Sequence, residues 1–157
     1  MILGVTGHQD IPPAATKHVT SAFKRRLAQA TIPTGVCSLA AGADQLFAEL
    51  LVQRGGELRV VIPCHGYSAT FTAPQDLDKY RRLLADATDV VELDYPRPSE
   101  KAFFAAGRRV VDMSDELLAI WDGKPARGLG GTADVVAYAR EQGKPVVIVW
   151  PKGVARL

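Results

Sequence analysis

The chain has 157 residues, of which 47% are hydrophobic and 23% charged, and its net charge is +2. That composition belongs to one ordinary globular domain, residues 1–157, large enough for a real core. It argues against a broad nucleic-acid surface, which needs clustered Lys and Arg, and no apolar run approaches the ~20 residues that span a bilayer.

In chain order, Ile2 to Thr6 reads as a first strand. Pro12 and Pro13 suit the opening turn of a helix. Ala15, Val19, Phe23, Leu27 and Ala30 then recur at helical spacing. Gly35 to Ala40 reads as a second strand and Asp44 to Arg54 as the next helix, stopped by Gly55-Gly56. Leu58 to Pro63 is a third strand. His65 to Ala73 has no clear pattern and is expected as a loop near the site. Pro74 to Ala87 is an amphipathic helix, and Asp89 to Asp94 a short fourth strand. Ser99 to Met113 is helical, Glu116 to Asp122 a strand, and Thr132 to Gln142 a helix ended by Gly143. Pro145 to Trp150 is the final strand.

Strands of Val, Ile and Leu without polar alternation are expected to be buried on both faces. With regular strand–helix alternation, this predicts an α/β fold: a doubly wound, mostly parallel sheet with helices on both faces. Lys24-Arg25-Arg26 and Arg81-Arg82 read as solvated helix faces. Trp121, Trp150, Phe103 and Phe104 read mostly as core. Cys37 and Cys64 read as free buried thiols in a reducing cytosol. Their spacing suggests no zinc, and no metal site is expected. Residues 1–7 lack the basic region of a signal sequence, so a cytoplasmic protein is expected.

Ligands of such folds bind at the carboxyl ends of the strands, where strand order reverses. Three glycine loops are expected at that edge: Gly4-Val5-Thr6-Gly7-His8, Ala40-Ala41-Gly42-Ala43-Asp44, and Arg127-Gly128-Leu129-Gly130-Gly131-Thr132-Ala133-Asp134. The third carries the most information. It follows a strand and opens a helix, where unpaired N–H groups and the helix dipole attract an anion. The alternative is that the glycines merely permit tight turns.

Two common glycine fingerprints fail. Gly128-Leu129-Gly130-Gly131-Thr132-Ala133 formally matches the dinucleotide pattern but lies in the last strand–helix unit. About twenty residues on, where a ribose-binding acid is needed, stands Trp150-Pro151-Lys152-Gly153. An NAD enzyme is therefore disfavoured, and no dissociable cofactor is expected. The P-loop is absent, because no Gly-Lys-Ser or Gly-Lys-Thr occurs.

Few polar residues accompany the loops. His8 either donates to a phosphate or base, or hydrogen-bonds a neighbouring strand end. Asp44 either caps its helix or accepts from a ribose hydroxyl. Asp122 ends a strand at the same edge. Arg108 and Arg109 sit about 100° apart on a helix, so only one is expected to reach a phosphate. Thr132 offers a hydroxyl and an N–H at the helix start. His18 and His65 read as surface residues.

Gly4-Val5-Thr6-Gly7-His8, Ser38-Leu39-Ala40-Ala41-Gly42-Ala43-Asp44, Gly107-Arg108-Arg109 with Ser114-Asp115, and Gly130-Gly131-Thr132 together resemble the SLOG superfamily over nearly the whole chain. That group includes the LOG-type phosphoribohydrolases and single-domain YpsA-like proteins. The resemblance implies a Rossmann-like fold, a homodimer, and a pocket for a nucleotide or nucleotide-derived ligand, lined by Gly7, His8, Gly42, Ala43, Asp44, Arg108, Asp122, Gly130, Gly131 and Thr132. LOG-type enzymes carry Pro-Gly-Gly-x-Gly-Thr-x-x-Glu. Alignment on Thr132 places Val135 at the glutamate, with Asp134 one position earlier, and Pro125-Ala126-Arg127-Gly128 at the opening. A valine cannot transfer a proton. The expectation is therefore a ligand-binding sensor or accessory protein, with a phosphoribohydrolase using Asp134 and Arg109 as the alternative.

Overall fold

The computed structural model describes residues 1–125, 128–129 and 131–156. Gly130, Arg127 and Ala126, part of the third glycine loop, lie outside them. Among the described residues six strands and five α-helices alternate: β1 (Ile2–Gly7), α1 (Pro13–Leu27), β2 (Thr34–Cys37), α2 (Ala43–Gln53), β3 (Glu57–Ile62), α3 (Pro74–Ala85), β4 (Asp89–Glu92), α4 (Glu100–Met113), β5 (Glu116–Ile120), α5 (Thr132–Glu141) and β6 (Val146–Ile148). The strand order is β4-β3-β2-β1-β5-β6, and every pairing is parallel. The fold is α/β and Rossmann-like, with strand order reversing between β1 and β5. Each crossover leaves helices over one face or the other.

Helices α1, α2 and α3 pack on one face and α4 and α5 on the other. The first layer centres on Val19, Phe23, Phe47 and Leu51 against Leu3, Val5 and Val60. The second joins Ala106, Val110, Val135 and Ala139 to Val36 and Leu117. The helical spacing of Ala15, Val19, Phe23 and Leu27 places all four in the core. Gly55 and Gly143 follow the ends of α2 and α5 with φ of 77° and 71°, the left-handed conformation that glycine supplies cheaply at a helix end.

Burial departs from the sequence expectation at the sheet edges. The central strands are enclosed, but Val90 of β4 and Val147 and Ile148 of β6 are exposed. An edge strand has a neighbour on one side only, and an apolar run does not distinguish edge from centre. Residues 65–73 hold a short 3₁₀ turn, Tyr67–Thr70. Tyr67 is buried there, edge-on to Phe71, Tyr80 and Phe103.

Candidate ligand cavity

A cavity of about 460 Å³ opens at the carboxyl ends of the strands. Thr6, Gly7 and Gln9 form its floor after β1, with Ser38, Ala40, Ala41 and Asp44 after β2 and Pro63 after β3. Tyr67 and Thr70 close one side. Phe103, Ala106, Gly107 and Val110 of α4 form a wall, and Gly128, Leu129, Gly131, Thr132 and Val135 complete the ring. The size suits a small organic ligand.

Close backbone approach builds this edge. A Cβ on Gly7 would lie 2.6 Å from Ala43 Cβ and 2.7 Å from Ile120 Cβ. The bare strand end thus lets α2 start directly beside β1, and Ala43 N–H donates to the His8 carbonyl at 3.2 Å. Gly42, with φ of 82°, presses on the backbone of Gln9 and His8. The second glycine loop therefore serves close packing at Gly42 and Ala43, and Asp44 is its side chain that reaches the cavity.

Asp44 does not cap α2, whose N-cap is Gly42. Its Oδ2 instead accepts the backbone N–H groups of Ser38 at 3.2 Å and Ala40 at 3.3 Å. Leu39 between them has a left-handed φ of 57°, which curls the chain so that the flanking amides converge on one oxygen. Burial pushes the Asp44 carboxyl up to about 7, against the lowering effect of the two amides. Burial first, and then the Asp44 charge, also raise the Tyr67 hydroxyl and the Cys37 thiol well above their ordinary values.

Helix α5 begins at Thr132 after Gly131, with no side chain capping its first turn. Asp134 and Val135 N–H groups return to the Gly131 carbonyl. Thr132 is buried, and both Gly131 and Thr132 line the cavity. Val135 lines it as well, whereas Asp134 lies outside the wall.

The remaining sequence-predicted residues lie elsewhere. His8 and Asp122 form a knot outside the cavity lining. Asp122 N–H donates to His8 Nε2 at 3.1 Å, and Arg156 approaches His8 Nδ1 at 3.1 Å and Asp122 Oδ2 at 3.7 Å. Burial raises the Asp122 carboxyl, but the Lys124 N–H and then His8 and Arg156 outweigh it and hold the group below its ordinary value. Trp150 stands edge-on to the His8 ring, 5.3 Å away. Arg108 and Arg109 line a second cleft with Asp94, Asp112 and Tyr138, and Arg108 stacks on Phe104. Positions 103, 106, 107 and 110 form the cavity face of α4, so 105, 108, 109 and 112 point to the other side. The structure thus brings together Gly7, Asp44, Gly131 and Thr132. It does not place Arg108, Arg109 or the His8 side chain on the cavity lining.

Tyr67, Phe103 and Pro63 went unread in the sequence as site residues. An aromatic at helical spacing, or in a patternless loop, carries no local mark of what it faces. Among the described residues no group of three His, Cys, Asp or Glu side chains is placed to hold a metal ion, and no helix is long and apolar enough to cross a membrane.

Solved structures share this architecture. DNA processing protein A from Helicobacter pylori, described for its single-stranded DNA binding mode, superposes with a TM-score of 0.72 at 16% identity, covering 99% of this chain and 67% of that one. The same protein from Streptococcus pneumoniae gives 0.68 at 19% identity, over 93% of this chain and 49% of that one. The molybdenum cofactor binding protein of Rippkaea orientalis gives 0.59 at 16%, over 94% and 74%. The chain spans about two thirds of the first of these proteins and half of the second, and identities this low show a shared Rossmann-like α/β fold alone. No family model and no curated protein sequence matches the chain.

Proposed function

We propose that this chain binds a nucleotide or nucleotide-derived small molecule in the cavity and acts as a sensor or accessory protein. One observation carries the reading. At the point where strand order reverses, one half-open cavity joins the uncapped first turn of α5 to an apolar wall of Pro63, Tyr67 and Phe103. A helix start suits a phosphate, and an aromatic wall suits a base. The described lining offers no Lys, Arg or His, so the phosphate would be held by backbone amides and the Thr132 hydroxyl. We read the protein as cytoplasmic and homodimeric, from the resemblance and the thiols.

Thermal-shift titration with nucleoside monophosphates and cyclic dinucleotides tests this. A ligand at a hundred times its Kd adds ~2.7 kcal/mol, or about 5–10 °C for a domain of this size. Melting curves that stay flat across the panel would overturn the reading, as would a shift with single-stranded oligonucleotides alone. The phosphoribohydrolase alternative draws no support from the cavity, where Val135 stands on the wall and Asp134 and Arg109 do not. Release of free base from nucleoside monophosphates, abolished by Asp134→Ala, would revive it.

A further inference from the structure

We propose that Asp44 determines the cavity's specificity, its Oδ1 accepting a sugar hydroxyl so that ribonucleotides bind in preference to their deoxy counterparts. The inference rests on the nucleotide reading above and adds the chemical group that is recognised.

Asp44 is only 7% exposed, and it is the one carboxylate on the described cavity wall. Both of its hydrogen bonds end on Oδ2. Among the described residues Oδ1 has no partner and is not sealed in the protein, because no buried side-chain oxygen lacks a bond. The bare oxygen therefore faces the cavity. A carboxylate oxygen in so confined a place demands a donor. Water can supply one until a ligand displaces it.

Strand order says which part of the ligand meets this oxygen. From β5 to β1, β2 and β3 the edge runs from Gly131-Thr132 past Gly7 and Asp44 to Pro63 and Tyr67. Neighbouring strands are about 4.8 Å apart. A phosphate on the α5 start and a base on the aromatic side leave the sugar over β1 and β2, at Asp44. The fixed Oδ2 holds the carboxyl plane, so Oδ1 needs no reorganisation to accept a hydroxyl.

The experiment is calorimetric titration of the full chain with the four ribonucleoside monophosphates, then with the 2′-deoxy and 3′-deoxy forms of the tightest. At pH 8, above the Asp44 value of about 7, loss of a charge-assisted hydrogen bond should weaken one or both deoxy forms about ten- to hundredfold. Asp44→Asn keeps the shape and an oxygen for the two amides but turns its NH₂ toward the cavity. That variant should bring the ribo/deoxy ratio to within about threefold. If the ribonucleotide binds and both deoxy forms match it, the assignment to Asp44 is overturned while the nucleotide reading stands. Undiminished discrimination in Asp44→Asn overturns it too. If no monophosphate binds, the nucleotide reading itself falls. Should Asp44→Asn fail to fold, the wild-type ratio alone decides.

Discussion

At the residue scale, Asp44 couples the cavity to pH. Its carboxyl lies near 7 in the fold because of burial, against about 3.9 in an unfolded chain. The folded protein therefore holds more protons between those values, and linkage makes stability fall as pH rises from about 4 to about 7, then level off. The full difference is roughly 3–5 kcal/mol at 1.36 kcal/mol per pKa unit. Urea unfolding midpoints measured from pH 5 to pH 8 should drop for the native chain, and Asp44→Asn should remove most of that slope. A native midpoint that climbed from pH 5 to pH 7 while the variant's stayed level would contradict the burial argument. The aspartate itself was readable in the sequence as a ribose or capping candidate. Its partners were not, because they depend on the left-handed turn at Leu39, a conformation no local rule assigns to leucine.

At the element scale, α4 shows what periodicity gives and withholds. Spacing identifies the helix over 99–113 almost to the residue, with Ser99 accepting the Ala102 N–H as its cap. It does not say which side meets the cavity. That is set by the crossing with α5, where Gly107 lets Val135 approach; a Cβ there would lie 2.6 Å from Val135 Cγ2. The contact turns Phe103 inward and Arg108 and Arg109 outward. On the nucleotide reading, Phe103→Ala should weaken nucleotide affinity about tenfold by removing part of the aromatic wall. Arg108→Ala and Arg109→Ala should change it less than about twofold. Calorimetry on the three variants separates the cases, and a large loss at either arginine would show that the second cleft takes the phosphate instead. Gly107→Ala should lower stability by about 1–3 kcal/mol through overpacking against Val135, read as a reduced denaturation midpoint.

At the scale of the whole molecule, alternation of apolar runs and amphipathic segments is enough to specify a parallel sheet between helix layers. The glycine loops then mark the edge where it opens. Exposure at β4 and β6 was not legible, since outer position follows from the order β4-β3-β2-β1-β5-β6 and not from any strand's residues. Nor was the role of the last residues. Trp150 packs against the core as expected, but it also stands edge-on to His8, and its Nε1–H donates to the Val154 carbonyl.

That tail carries Arg156 back to His8, 148 positions away in sequence, and to Asp122 at the end of β5. It ties the last described residues across the two strands that flank the reversal point. Asp122 has a depressed carboxyl in the fold, so its contribution is complete above the unfolded value of about 3.9 and disappears as pH falls through the lower folded value. This is the opposite sign to Asp44. Arg156→Ala leaves Asp122 with less compensation for its burial and should cost about 1–3 kcal/mol at pH 7. The deficit should shrink toward acid, as pH falls through the lowered folded value of Asp122. Denaturation midpoints of the native chain and the variant at pH 7 and along an acid series test the tie. Equal midpoints at pH 7 would mean that the tail lies on the sheet edge without holding it.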